Sequence, residues 1–289
     1  MPRLDTVSVV KNAEVKRLDS SQIQIMGILN ITPDSFSDGG NFLSAGSPDI
    51  NRVIETAQEM VSDGATMIDV GGESTRPGAD AVEESEELER VVPVIEALHK
   101  AISVPISIDT SKAGVMLAAV KSGARFINDV RALQAEGALE CASKLGVPVC
   151  LMHMQGEPRS MQHKPEYVDV VQDVKSFLLE RARDCEAAGI PRSHIVIDPG
   201  IGFGKSLEQN LSLLKHLSEL VSSGLPVLVG VSRKSMIGAI LDEPVDKRLY
   251  GSLALATAAC LAGASIIRVH DVEATRDAVK VTEALMHAK

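Results

Sequence analysis

Eight times along the chain, a short run of β-branched and other apolar residues is followed by a polar or glycine-containing loop and then by a helical stretch. The runs are IQIMGILN (23–30), TMIDV (66–70), PISID (105–109), FIND (126–129), PVCLMH (148–153), IVIDP (195–199), PVLVGVS (226–232) and IIRVH (266–270). Apolar runs alternating with helices read as parallel strands covered on both faces. Glycine recurs just before a strand in DGA (63–65), SGA (122–124), LGV (145–147), AGI (188–190), SGL (223–225) and AGA (262–264), where it suits the left-handed end of a helix. One strand-to-helix order from start to finish, with no break in composition, favours a closed (β/α)8 TIM barrel over a doubly wound pair of sheets. The 289 residues fit, since such barrels take about 250. The expected organisation is a single barrel domain over 22–289, preceded by an N-terminal extension over 1–21 that forms a small hairpin closing the barrel bottom.

Charge and composition remove several function classes. A formal net charge of −10, aromatic content of 2% and the lack of a basic run leave neither cations for a phosphate backbone nor platforms for bases, so no nucleic-acid partner is expected. No stretch approaches the roughly 18 apolar residues of a membrane span, and no export signal is visible at the N-terminus. The four cysteines, Cys141, Cys150, Cys185 and Cys260, form no C-x-x-C pair, which argues against a zinc knuckle or disulfide framework and fits a reducing cytoplasm.

Polar residues collect at the C-terminal tips of the strands, the end where barrel enzymes keep their sites. Asn30, Asp69, Asp109, Asn128, Asp198, Ser232, Arg268 and His270 all fall there. In the last strand Ile267 and Val269 share one face and Arg268 and His270 the other; helices would bury the charges if they pointed outward, so they point to the barrel mouth. The same parity turns Ser107, Asp109, Phe126 and Asn128 inward. Each residue also has a plainer reading. Asp109 could cap the next helix, although Thr110 or Ser111 would serve equally. Asp198 could form a turn in its Asp-Pro-Gly sequence. Asn128 could satisfy loop backbone, and Arg268 and His270 could belong to a buried ion pair. His153 reads as a hydrogen-bonded supporting histidine rather than a catalyst.

Three of five phenylalanines lie in Gly/Pro-rich loops: Phe36 and Phe42 in TPDSFSDGGNF, and Phe203 in DPGIGFGK. They could pack onto their own loops or offer a flat apolar surface to a planar ligand. Lys205, Arg233 and Lys234 lie just beyond strand tips in loops leading into helices, where cations and backbone N–H groups favour phosphates, though Arg233 could equally be a solvated charge. Arg76, Lys234, Arg268 and His270, gathered at one mouth of an acidic protein, suggest an anionic substrate. No Walker loop or G-x-G-x-x-G is present.

The segments MGILNITPDSFSDGG (26–40), DVGGESTRPGA (69–79), ISIDT (106–110), INDV (127–130), MHMQGEP (152–158), DPGIGFGK (198–205), GVSRKSMIG (230–238) and RVHDV (268–272) closely resemble the dihydropteroate synthases, in the family's order and over most of the chain. The resemblance implies an enzyme that condenses 6-hydroxymethyl-7,8-dihydropterin diphosphate with 4-aminobenzoate, a folate-pathway transferase and sulfonamide target. It implies that Asp109, Asn128, Asp198 and Lys234 hold the pterin, with Met152 and Arg268 flanking its ring. Asn30, Arg268 and His270 would meet the diphosphate, with Asn30 the protein ligand of a Mg2+ cofactor. Two lid loops carrying Asp34 and Phe36, and Thr75, Arg76 and Pro77, would join Phe203, Gly230, Ser232 and Lys234 around the substrates. The catalytic residues implied are Asp34, Asp109, Lys234, Arg268 and His270, and a homodimer is implied as the assembly.

The residue chemistry agrees with that implication. A pterin edge of N–H donors suits carboxylates, and an amide can donate and accept beside it. A neutral arylamine needs no strong base, so the lack of a nucleophile triad is unsurprising. Ser160 and Ser206 stand where the family often has Thr. Two rivals share the barrel: a folate-binding methyltransferase serving a corrinoid, which would not need the RPG or SRK segments present here, and a relative that binds pterin without turning it over.

Overall fold

The structure, a computed structural model, describes residues 22–32, 42–44, 47–74, 79–156 and 165–288. The N-terminal extension, Asp34, Phe36, Thr75, Arg76, Pro77 and Ser160 lie outside these residues. Strands and helices alternate as β1 (Gln24–Asn30), α1 (Ile50–Ser62), β2 (Met67–Gly71), α2 (Glu84–Ala101), β3 (Ile106–Asp109), α3 (Ala113–Ser122), β4 (Phe126–Asp129), α4 (Ala138–Leu145), β5 (Val149–Met152), α5 (Val170–Ala187), β6 (Ile195–Asp198), α6 (Leu207–Lys215), α7 (Leu217–Val221), β7 (Leu228–Val229), α8 (Ser235–Leu241), α9 (Leu249–Leu261), β8 (Ile266–Val269) and α10 (Val272–Met286).

Each of these eight strands pairs in parallel with its sequence neighbour, β1 pairs with β8, and a bridge between Ile197 and Val227 joins β6 to β7, so the ring closes; Leu43–Ser44 and Ser47–Pro48 form a separate antiparallel pair. The eight predicted strands are all present. β7 is shorter than PVLVGVS suggests: Pro226 has no N–H to donate and contributes only its carbonyl, to Ile197 N at 3.0 Å, and the chain leaves the ladder at Gly230. The six glycines read as helix ends all take positive φ, from 68° to 127°.

Side-chain parity divides the core into two parts. Outward-facing residues such as Ile25, Leu29, Ile68, Val70, Ile267 and Val269 pack beneath the helices. Inward-facing Met26, Met67, Phe126, Cys150, Val196, Leu228 and Ile266 form a separate buried cluster that plugs the barrel. Above this apolar floor the inward positions turn polar. The register pairs Asp69 with Ser107, and Gly71 with Asp109, which itself pairs with Asn128, so Asp109 stands nearer the rim than the fully buried Asp69. Floor and depth together place every polar tip residue at one end of the barrel.

Candidate active site

Arg268 is the hub of the mouth. Its Nε donates to Asp69 Oδ2 at 2.6 Å and its Nη2 to Asp109 Oδ2 at 2.9 Å, while Asn128 Nδ2 donates to the same Asp69 oxygen at 3.1 Å. The buried ion pair considered for Arg268 is therefore real, and it is made with two strand-tip carboxylates inside the mouth. Burial pushes the Asp109 carboxyl up to about 8; Arg268 opposes the shift, and Asp69 and Asp129 add to it. For Arg268 itself, burial acts against the charge, but the two carboxylates outweigh it and hold the guanidinium above its ordinary range. Helix capping does not explain Asp109: α3 starts with no side-chain cap bond, and Thr110 Oγ1 is the group that accepts from Lys112 N.

Asp198 does both things suggested for it. Its Oδ1 accepts from Gly200 N at 2.7 Å, shaping the turn, and it stays buried in the mouth, where burial raises its pKa against the pull of that N–H and of Lys234, Lys205 and Arg268. Lys234 lies across the turn, donating to the Ile201 carbonyl, with its Nζ 4.3 Å from the centre of the Phe203 ring. Burial lowers its pKa to about 8 despite the attraction of Asp198. His270 is oriented by Ser232, whose Oγ lies 3.0 Å from Nδ1 and accepts from the His270 backbone N–H at 3.2 Å. Gly230 sits beside Arg268: a Cβ there would meet Arg268 Cβ at 3.8 Å. Met152 ends β5 in register with Asp198. Asn30 ends β1, and the absence of a side chain on Gly71 leaves a notch between Asn30 Oδ1 and Asp109.

The loop 199–205 must fold tightly to bring Phe203 and Lys234 together. Gly200 takes φ +65°, and a Cβ on it would lie 1.9 Å from the His153 carbonyl oxygen, so only glycine fits. Ser206 then starts α6 with a capping box, its Oγ accepting from Gln209 N and its N–H donating to Gln209 Oε1. Serine thus supplies all that threonine would there.

Three expectations are corrected. Lys205 does not face a phosphate: it is 2% exposed, and its Nζ is enclosed by His153 Nδ1, the His153 carbonyl, and the carbonyls of Gly200 and Phe203, at 2.9–3.3 Å. The Gly-rich loop folds back over β5 and carries the lysine inward. Phe42 offers no ligand surface; it is 1% exposed in the outer core, with the Arg52 guanidinium 5.9 Å from its ring centre. Arg233 is not a solvated charge either, since it pairs two-pronged with Asp271 at 3.0 and 2.5 Å. His153 is the supporting residue expected, kept neutral by burial and by Lys205, which bring its pKa to about 3.

Asp69 is the residue whose part at the centre of the network the sequence reading did not assign; strand parity with Met67 was the available signal. A second unassigned group lies nearby. Lys112, just after β3, pairs with Glu73 at 2.6 Å and with the fully buried Glu87 at 2.5 Å, and Glu73 also accepts from Val82 N at 3.1 Å. This cluster joins the loop after β2 to the one after β3.

Residues 26–270 match the sequence profile of the family described as pterin binding enzyme. The dihydropteroate synthase of Haemophilus influenzae is 54% identical over 276 residues, covering 96% of this chain and 98% of that protein. Among solved structures, the Yersinia pestis dihydropteroate synthase in a sulfonamide drug complex superposes with a TM-score of 0.89 at 53% identity, covering 93% of this chain and 96% of the other. The Xanthomonas albilineans dihydropteroate synthase, solved with 4-aminobenzoic acid, gives 0.86 at 46%, covering 94% and 95%. With a profile spanning the barrel and relatives alike along nearly their whole length, this chain belongs to the pterin-binding enzymes and, within them, to the dihydropteroate synthases.

Proposed function

We infer that the chain joins 6-hydroxymethyl-7,8-dihydropterin diphosphate to 4-aminobenzoate, giving 7,8-dihydropteroate and diphosphate. The observation that carries this is the convergence of Asp109, Asn128, Asp198, Lys234 and Arg268 into one polar layer on an apolar floor. Acceptors, donors and a planar cation at one depth suit the edge and face of a pterin. Asp109 and Asp198 accept from the pterin's N–H edge, Asn128 pairs beside them, and Lys234 donates to the ring carbonyl and nitrogen. Met152 and Arg268 lie against the faces of the ring.

Substitution occurs at the pterin methylene carbon. The C–O bond to diphosphate breaks with its electron pair leaving on oxygen, the arylamine lone pair forms the new C–N bond, and the nitrogen sheds a proton. Asp109 and Asp198 stabilise the positive charge that builds on the pterin, while Arg268 and His270 meet the departing negative charge. Arg268 Nη1 donates to no described residue and so remains for that purpose. The donor set fits a magnesium ion that arrives with the diphosphate: Asn30 Oδ1 is a hard oxygen beside the Gly71 notch, and among the described residues no group of three His, Cys, Asp or Glu side chains forms a metal cage. Such an ion supplies charge neutralisation to the leaving group. Phe203 and Ser232 face the aminobenzoate side, where sulfonamides compete with aminobenzoate; Asp34, Thr75, Arg76 and Pro77, outside the described residues, are proposed to take part in binding it.

The four cysteines are unbridged, which suits a cytoplasmic enzyme, and among the described residues no helix is long and apolar enough to cross a membrane. A homodimer is the proposed assembly, supported by the exposed apolar Tyr250 and Leu261 of α9 and Val281 and Leu285 of α10.

The test is diphosphate release and dihydropteroate formation with Mg2+, with and without 4-aminobenzoate, for the wild type and the Asp109→Asn and Lys234→Ala variants. Product that requires aminobenzoate and collapses in both variants supports the reading. Tight pterin binding without product would leave a binding-only relative.

A further inference from the structure

The two carboxylates on Arg268 are not equivalent. Asp69 is fully buried, whereas Asp109 is 8% exposed and nearer the rim. Asp69 Oδ2 receives both Arg268 Nε and Asn128 Nδ2, while its Oδ1 has no hydrogen-bond partner among the described residues, and neither does the hydroxyl of Ser107, its neighbour in register. The negative charge on Asp69 is therefore balanced by one cation and one amide. Moving Arg268 away would leave a buried, uncompensated carboxylate, which is among the costliest defects a core can carry. Asp109, at the rim, can replace the guanidinium with a ligand's N–H groups and lose nothing by the exchange.

We propose that Asp69 is a positioning residue that holds Arg268 and Asn128 permanently in place, so that Asp109 is free to pass from the arginine to the pterin. Asp69 touches no substrate. It acts through the two residues whose polar atoms converge on its Oδ2, and it fixes the guanidinium plane by the Nε edge while leaving Nη1 available. Without it, Asp109 is the one carboxylate among the described residues still hydrogen-bonded to Arg268, and pterin must compete with the arginine for it. This inference rests on the pterin reading of the site.

The experiment compares Asp69→Asn, Arg268→Lys and the double variant with wild type, each assayed for kcat and for the KM of both substrates. Wild-type turnover is the control: if it is absent, the proposed function fails and not this inference. With wild-type turnover intact, Asp69→Asn should raise the KM for the pterin diphosphate about tenfold or more, the scale of a hydrogen bond to a charged group. The KM for 4-aminobenzoate should stay within about twofold, and the double variant should lose clearly less than the product of the two single effects, because Asp69 acts in part through Arg268. Equal changes in both KM values, multiplicative effects in the double variant, or no change at all would overturn the proposal. Should Asp69→Asn fail to fold, removing both charges with Asp69→Asn and Arg268→Gln together should restore soluble protein. A double variant that also fails to fold would refute the fixed pairing.

Discussion

Replacing Lys205 by methionine should change how stability depends on pH. The Lys205 ammonium is buried against His153 and three backbone carbonyls, and none of these partners is a carboxylate. Burial lowers its pKa from 10.5 to about 7, with Asp198 pulling the other way and Lys234 adding to the fall. That change amounts to roughly 5 kcal/mol of preference for the uncharged amine in the folded protein. A depressed pKa contributes stability that is fully present above the unfolded value, near 10.4, and is lost as pH falls through the folded value. Between the two, the unfolded chain holds one more proton, so stability rises by about 1.4 kcal/mol per pH unit, or about 2 kcal/mol from pH 7 to pH 9. The methionine variant lacks this titration, whereas Lys234, which is lowered too, titrates in both proteins and cancels in the difference. For a domain of this size, 2 kcal/mol corresponds to about 4 °C. Thermal unfolding of both proteins at pH 7 and pH 9 should therefore move the gap in Tm by about 4 °C in favour of wild type at the higher pH, whichever protein is the more stable at pH 7. A gap that stays constant, or moves the other way, would refute the uncompensated burial of this lysine.

Three other perturbations have definite outcomes. Pterin binding needs Asp109 ionised and Lys234 protonated, and both titrate near 8, so kcat/KM for the pterin diphosphate should fall on each side of about pH 8; Asp109→Asn should remove the acid limb and Lys234→Arg the alkaline one. Gly200→Ala should lower stability by at least about 3 kcal/mol in denaturant unfolding because its Cβ meets the His153 carbonyl, whereas Gly146→Ala, at φ +68° with nothing within 4 Å, should lose only about 1 kcal/mol. Lys112→Met strands the buried Glu87 carboxylate and should destabilise by about 3 kcal/mol or more, most of it recovered when Glu87→Gln is added.

Much of the barrel was legible because six of the eight strands announce themselves twice, by an apolar run and by the glycine that ends the helix before it. Parity then aimed Asp109, Asn128 and Arg268 inward, as the structure has them. Parity gives direction and not depth. Asp69 and Asp109 point the same way from adjacent strands, and only the packed barrel shows that Asp69 is fully buried while Asp109 keeps 8% of its surface exposed. The loops were the other blind spot. Lys205 follows three glycines whose positive φ values turn the chain back over β5, so a cation that reads as a phosphate ligand becomes an internal clamp. Phe42 likewise takes its place from packing into the outer core, which a local pattern does not carry.

The most direct test of the account is a crystal structure of the protein with a bound dihydropterin. The account predicts the ring in the barrel mouth between Met152 and Arg268, within hydrogen-bond distance of Asp109, Asn128, Asp198 and Lys234. It would be contradicted by a ring lodged instead in the neighbouring pocket between Arg131, Gln134, Met154 and Phe177, with Asp109 still paired to Arg268.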